Sequence, residues 1–246
     1  MPQTHETPLI PNPPITRVNP KDGAIEIYIP PGEFTMGDAD LTDAAPHKVY
    51  LSGYWIYKTP VTVDMYRKFC AATRRSMPEA PHWGWKGDHP IVNVTWHDAK
   101  AYCDWADIAL PTEAQWEKAA RGTDGRTYPW GNDWDESTLR NDDDFDIGSG
   151  SPALVGSFPA GASPYGCLDM ANSVLQWCAD WYDANYYKSA PDHDPTGPTS
   201  GEDRVLRGGS WFYFKEIIFR CASRSYGGPD DRSGISGFRG AARAGS

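Results

Sequence analysis

The stretch that follows Gly122 constrains the fold of this chain more than any other feature of the sequence. Turn-forming pieces such as GTDG, PWGND, PAGASPYG and PTGPTSGED interrupt it at short intervals, and no helical pattern continues between them. The chain as a whole has 24 glycines, 22 prolines and 11 tryptophans, which fits this pattern. We therefore expect short elements joined by turns, with large rings filling the gaps, rather than a helical bundle.

Before Gly122 the pattern is different and predicts both strands and helices. Alternating isoleucines in AIEIYI predict a strand, and the alternation in HKVYLSGYWIYKTPVT continues in the same way. Helical spacing predicts three helices, in TVDMYRKFCAATRR, TWHDAKAYCDWADI and LPTEAQWEKAARG. The first would be capped by Thr62 or Asp64, and the third would begin at Thr112, with Gln115 completing a capping box. Helices followed by an irregular β region indicate an α+β domain.

Composition argues against two classes of partner. The net charge is −10 and no basic stripe is present, so we expect no nucleic acid. No apolar run approaches the roughly 20 residues that a membrane-spanning helix needs.

Residues 1–22 are Pro-rich and lack the basic and apolar parts of a signal peptide, so we expect an extended or disordered leader before one domain at 23–246. A cytoplasmic location is expected, with reduced cysteines, of which Cys70 and Cys103 would fill the core.

Candidate metal ligands are few. The acidic run RNDDDFDIGSG could offer oxygen ligands to Ca²⁺ from Asn141, Asp142 and Asp146, although it lacks the D-x-[DN]-x-[DN]-G loop pattern. A solvated acidic loop is the alternative. The histidines lack the short spacing of a zinc site. We therefore expect no cofactor, with a structural calcium ion as the one candidate.

An ordered set of motifs resembles the formylglycine-generating enzyme (sulfatase-modifying factor) family. These motifs cover about residues 23–241, and they are GEFTMGD, KTPVT, HPIVNVTWHDAKAYCDWA, LPTEAQWEKAARG, YPWGND, YGCLDMANSVLQWCADWY, RVLRGGSW and GFR. The resemblance implies the fold of that family, which is a variant of the C-type lectin fold with little regular secondary structure.

This chain departs from the family where the family's chemistry resides. The resemblance implies copper held by two cysteines just after the GGS-aromatic motif, because Cu(I) prefers sulfur ligands. Residues 212–220 contain no cysteine, and Cys221 aligns with a later, non-catalytic family cysteine. Family members read DMAGNVWEW where this chain reads DMANSVLQW, so Gln176 replaces a carboxylate near a structural calcium site. These departures indicate a non-catalytic member. The alternative is a metal-dependent oxidase or oxygenase with other ligands.

The C-terminal motifs resemble most closely the variable proteins of diversity-generating retroelements. In those proteins a lectin-like scaffold displays residues encoded by Asn codons whose adenines are randomised. This chain keeps RVLRGGSW, RCASR and GFR as anchors of a segment at about 205–239. Randomised AAC or AAT cannot encode Lys, Glu, Gln, Met or Trp, and none of these stands at the positions expected to form the ligand surface: Phe212, Tyr213, Phe214, Ile217, Ile218, Phe219, Ser225, Tyr226, Gly227, Gly228, Asp231, Ser233, Gly234, Ile235 and Ser236.

The expected partner is an unidentified protein or cell-surface ligand. Exposed Phe, Tyr and Ile would give a large contact area for little lost rotamer entropy. Alternation along a strand would instead bury Phe212 and Phe214 in the core and expose Tyr213. The sequence leaves both interpretations open, and also leaves open an interaction domain that is not diversified.

Overall fold

The computed structural model describes residues 13–138, 150–213 and 215–245. Within these ranges its helices and strands follow in the order β1 (Thr16–Val18), β2 (Ile25–Ile29), β3 (Gly32–Met36), β4 (His47–Leu51), β5 (Tyr54–Tyr57), α1 (Val63–Thr73), α2 (Trp96–Trp105), α3 (Glu113–Arg121), β6 (Leu175–Trp181), β7 (Arg204–Arg207), β8 (Arg224–Gly227), β9 (Ser236–Gly237) and β10 (Ala241–Arg243). In the described residues after α3, the only helical pieces are 3₁₀ turns of three or four residues. The predicted α+β class with little regular structure is confirmed.

Polar caps fix where the helices begin. Thr62 caps α1 by accepting a hydrogen bond from the Met65 N–H at 3.2 Å, which decides between the two predicted caps. At α3, the Thr112 hydroxyl accepts from the Gln115 N–H, and the Gln115 side chain accepts from the Thr112 N–H. This is the capping box that the sequence predicts, and it satisfies two backbone donors that the helix itself cannot.

Three small sheets carry the strands. Their strand orders are β1-β2-β5-β10, β3-β4 and β8-β7-β6-β9. Strand β1 belongs to the predicted leader and pairs antiparallel with β2, so residues 16–18 lie extended against the domain. Strand β10 pairs with β5 and forms the opposite edge of the same sheet. In the described part of the chain, no helix is long and apolar enough to cross a membrane.

The core is rich in aromatic residues and encloses the inner face of each helix. Tyr66 of α1 stacks on Tyr102 of α2, and Phe69 and Phe238 pack edge-on against both rings. Trp116 of α3 is fully buried. The cysteines are all free and buried, so the prediction that Cys70 and Cys103 fill the core is confirmed. This packing holds α3 against the sheet that carries β7 and β8.

Candidate binding site

The hairpin of β7 and β8 places two arginines opposite each other at the base of its loop. Arg207 ends β7, Arg224 begins β8, and the strand register pairs them directly. Neither side chain is exposed to solvent. Like charges opposite each other across a strand pair repel, so this stem requires anions beside it. The β7–β8 loop between them, residues 208–223, contains most of the predicted aromatic surface.

Helix α3 supplies those anions from two glutamates one turn apart. Glu113 Oε1 accepts from Arg224 Nε at 2.7 Å and from Arg207 Nη1 at 3.3 Å. Glu117 Oε2 accepts from Arg207 Nη2 at 2.6 Å, and its Oε1 accepts from Arg121 Nη1 at 2.7 Å. A single carboxylate, that of Glu113, therefore contacts both ends of the loop.

The surroundings of this network shift the pKa of its members. Burial lowers the pKa of Arg207, but the electrostatic influence of Tyr187, Glu117 and Glu113 raises it more, so that the pKa lies above its ordinary value. Burial, with a further contribution from the charge of Glu113, raises the pKa of Asp180 to about 8. The Asp180 carboxylate accepts a hydrogen bond from the Glu113 N–H at 2.9 Å. Arg207 and Arg224 stay charged, because the pKa of each is raised, whereas the pKa of Asp180 is about 8.

A cavity of about 300 Å³ opens beside this stem. Leu175 and Leu206 come from the sheet, while Tyr213, Ile217 and Ile218 come from the β7–β8 loop. Its remaining lining residues are Leu41, Asp43, Gly208, Gly209, Ser223, Arg224 and Ser225. One wall of the cavity is thus supplied by strands and by the segment after β3. The other wall is supplied by the predicted variable positions.

Three predicted surface residues are exposed, and one of them, Ile217, lines this cavity. The exposed fraction is 36% for Phe212, 45% for Ile217 and 55% for Tyr226. Asp231 is also exposed, and its Oδ2 accepts from the Gly228 N–H at 2.8 Å, which closes the turn after β8. The following predicted positions are half-buried: Tyr213, Ile218, Ser225, Gly227, Gly228, Ser233, Gly234 and Ile235. Phe214 lies outside the described residues.

Two predicted surface residues belong to the core instead. Phe219 is only 2% exposed, because its ring stacks on Trp134 at 5.7 Å between centroids. Ser236 is 4% exposed, because β9 pairs it with Leu175 of β6. The expectation that these two residues form part of the surface is corrected by their burial. The segment at 211–213 is also a turn rather than a strand, closed by the Tyr213 N–H donating to the Ser210 carbonyl, and Phe212 is its exposed residue.

Residues far away in sequence complete the site, and sequence reasoning missed them. Leu41 and Asp43 line the cavity. Trp83 packs edge-on against Trp211 at 5.5 Å, next to Phe212. Tyr182 stacks on Tyr226 at 4.3 Å. No short-range pattern marks these residues, since each reaches the site only through the tertiary fold.

The site does not fit the copper centre that the family resemblance implies. The one cysteine of the loop, Cys221, is buried, and burial raises the pKa of its thiol, whereas a metal ligand needs the thiolate. Among the described residues, no three His, Cys, Asp or Glu side chains lie together in a group that could hold a metal ion. The candidate calcium ligands Asn141, Asp142 and Asp146 lie outside the described residues.

Gln176, at which the family resemblance implies a carboxylate, is held by hydrogen bonds at both its amide oxygen and its amide nitrogen. Its Oε1 accepts from Trp116 Nε1 at 2.8 Å and from Arg239 Nε at 2.6 Å, and its Nε2 donates to the Asp169 carbonyl at 2.8 Å. The side chain is completely buried. Its oxygen is therefore a structural acceptor and not a cation ligand.

An α+β domain of this low regularity, with arginine-anchored loops around an open cavity, has the C-type lectin fold of the formylglycine-generating-enzyme type. The chain belongs to the sulfatase-modifying factor family, because residues 14–244 match the model described as the sulfatase-modifying factor enzyme 1-like domain.

Relatives and solved structures agree with this assignment. The chain is 33% identical to the formylglycine-generating enzyme of Streptomyces coelicolor, over 89% of this chain and 90% of that one. It is 36% identical to the formylglycine-generating enzyme of Thermomonospora curvata, over 88% and 92%. The fold matches Treponema denticola variable protein 1 with a TM-score of 0.78, and PvdO from Pseudomonas aeruginosa with 0.79. Both matches have 23% identity and cover 94% of this chain and 99% of the other.

Proposed function

We propose that this chain is a non-catalytic binding protein whose ligand surface is the segment at about 205–239, diversified by a retroelement. One observation carries the proposal. Phe212 and Ile217 are exposed on a loop whose stem is held by buried charges, Ile217 lines a cavity beside that stem, and Tyr226 is exposed on the adjoining strand β8. Exposed large apolar side chains grouped on a rigid base are typical of protein recognition surfaces.

The division between anchors and candidate variable positions supports this proposal. The anchors Arg207, Gly237 and Arg239 are buried, and Arg239 donates to the Gln176 side chain and to the carbonyls of the neighbouring loops. Most of the candidate positions are half-buried or exposed. Substitution at such positions changes the surface with little cost to folding, as diversification requires. A fold shared with a protein titled as a variable protein agrees with this interpretation.

A second candidate function is a metal-dependent oxidase or oxygenase, and the sequence relatives favour it. Two of them, at 33% and 36% identity, carry the name formylglycine-generating enzyme. The residues at 212–220 do not provide the cysteine pair of those enzymes, and we derive no chemical step for this chain. A calcium ion at Asn141, Asp142 and Asp146 remains a proposal from sequence.

DNA sequencing downstream of the gene tests the diversification. We expect a second copy of the codons for residues 205–239, differing only where the copy has adenine, together with a reverse transcriptase gene. Absence of the copy from the completed locus would contradict diversification and leave an interaction domain of fixed sequence.

A metal and turnover assay tests the absence of catalysis. The purified chain is incubated with Cu(I) or Fe(II), dialysed, and then mixed with a cysteine-containing sulfatase peptide under air. We expect less than stoichiometric metal and no formylglycine in the peptide. Stoichiometric copper together with formylglycine in the peptide would establish the oxidase instead.

A further inference from the structure

We propose that the cavity beside the Arg207–Arg224 stem receives one large uncharged apolar side chain of a protein partner, and that the exposed rings around it cover the partner's surface next to that side chain. This inference rests on the proposed binding function and names the class of ligand. It excludes two alternatives that a lectin-like fold raises, namely a sugar and a charged small molecule.

The charges at the cavity point to an uncharged occupant. Among the described residues that line it, only Asp43 and Arg224 carry charge. Arg224 donates to Glu113 with two nitrogens, at 2.7 and 3.0 Å, and its Nη1 lies 3.7 Å from Asp43 Oδ2. The same Asp43 oxygen accepts from the Tyr182 hydroxyl at 2.8 Å. Because these charges neutralise one another, a charged ligand would lose its hydration and gain no unpaired counter-ion.

The walls of the cavity point to an apolar occupant. Six of its lining residues are Leu, Ile or Tyr: Leu41, Leu175, Leu206, Tyr213, Ile217 and Ile218. The Ser223 hydroxyl donates to the Ile217 carbonyl, so it is already engaged. Each sugar hydroxyl placed here would give up water with few partners in exchange, and an unpaired buried hydroxyl is costly. An aliphatic or aromatic side chain pays no such penalty.

The surroundings point to a protein rather than a free small molecule. The cavity volume of about 300 Å³ lies at the lower end of the range for small-molecule sites, roughly 300–1,000 Å³. A ligand of that size would leave Phe212 and Tyr226 uncovered, because neither lines the cavity. Both are large apolar side chains that a partner surface would bury. One anchored side chain within a ring of further apolar contacts is the usual arrangement of a protein–protein hot spot.

Small probes test the anchor directly on the full, unsubstituted chain. N-acetyl-phenylalaninamide and N-acetyl-leucinamide represent apolar anchors, N-acetyl-lysinamide a charged one, and methyl α-glucoside a sugar. Each is titrated into isotope-labelled protein while amide chemical shifts are followed. We expect saturable shifts at residues 206–225 with the two apolar amides alone. Tighter binding of the lysine amide or the glucoside at these residues would overturn the proposal, as would the absence of saturable shifts.

Paired substitutions add a second readout. Ile218→Trp fills the cavity and should weaken the apolar probes by about tenfold or more, since burial of one such side chain contributes more than 1.4 kcal/mol. Leu154→Trp adds the same ring at an exposed position that does not line the cavity and should leave probe affinity unchanged. Equal effects of the two substitutions would contradict the assignment.

The failure of this inference is distinguishable from failure of the binding function. If the apolar amides do not bind but the second copy of the codons and the reverse transcriptase gene are found, the cavity does not receive an apolar side chain. The proposed binding function then still stands. If the chain retains copper and oxidises the sulfatase peptide, both are wrong.

Discussion

The stem and the rim of the β7–β8 loop invert the usual distribution of residues in a protein. At the stem, Arg207, Glu113 and Glu117 are buried and paired with one another. At the rim, Phe212 and Ile217 are exposed. Charges normally lie outside and large apolar side chains inside. The inversion separates two tasks, because the charges fix where the loop begins and ends and the apolar side chains remain available for contact.

The separation explains how the sequence of such a loop can change while its two ends keep their positions in the fold. Hydrogen bonds from buried arginines to carboxylates are strong and directional, and here the accepting carboxylates lie outside the loop, in α3. The loop is also held from within by Phe219, which packs under Gly209. Positions between these anchors make fewer obligatory contacts. Four sets of substitutions separate the contributions of Glu117 at the stem, the contact of Gly209 with Phe219, the titration of Asp180, and the exposed side chains of the rim.

Removing one charge from the stem should have the largest effect. Glu117→Gln keeps the shape of the side chain but leaves Arg207 and Arg121 with one buried carboxylate fewer. Breaking a buried ion pair in this way costs about 3–5 kcal/mol, and we expect that loss in the free energy of unfolding measured with urea. Asp64→Asn is the matched control, because its partner Arg67 is on the surface and such pairs contribute about 0–1 kcal/mol. A loss for Glu117→Gln no larger than for the control would contradict the role of the stem.

A methyl group at Gly209 should have the next largest effect. Its backbone has φ of +65°, and an added Cβ would lie 2.7 Å from Cδ1 of Phe219. We expect Gly209→Ala to lower the free energy of unfolding by about 1–3 kcal/mol through overpacking, beyond the cost of the backbone conformation. Gly84→Ala isolates that backbone cost, because Gly84 has φ of +71° and nothing within 4 Å of the added Cβ. Equal losses for the two variants would show that Phe219 does not hold the loop.

Local patterns predicted the parts of this molecule that depend on local interactions. Thr112 and Gln115 form a capping box three residues apart, so the sequence alone was sufficient to place the start of α3. The class of the fold followed from turn residues and from motifs in a fixed order. The Arg207–Glu113 contact joins residues that are 94 positions apart, and Leu41 reaches the cavity from the segment between β3 and β4. No periodicity records such contacts, and for the same reason Phe219 could not be recognised as a core residue.

The pH dependence of stability should identify Asp180 as the titrating neighbour of the stem. Burial raises its pKa to about 8 in the folded protein, whereas an unfolded Asp titrates near 3.9. The folded protein therefore holds a proton that the unfolded chain releases, so this contribution to stability is complete below about pH 4 and is lost as the pH rises towards about 8. Asp180→Asn should flatten the decline between pH 5 and pH 8 in urea unfolding. Asp133→Asn, at an exposed position, should leave the slope as it is, and an unchanged slope in Asp180→Asn would exclude Asp180 as its source.

Substitutions at the rim should have the smallest effect on stability, and this sharpens the comparison most. Phe212→Ser and Ile217→Ser at the rim, and Tyr226→Ser on the adjoining strand β8, remove side chains that are already partly in water, so each should change the free energy of unfolding by only about 0.5 kcal/mol, as for other surface sites. Phe219→Ala is the contrast, since truncating a buried Phe costs about 3–5 kcal/mol. Small losses at the exposed positions and a large loss for Phe219→Ala would show that residues 217–219 are divided between surface and core. Ile217 would then be available to a partner, and Phe219 would be part of the scaffold. Equal large losses at all four positions would mean that the rim is structural, and the binding surface would then have to be sought elsewhere on the chain.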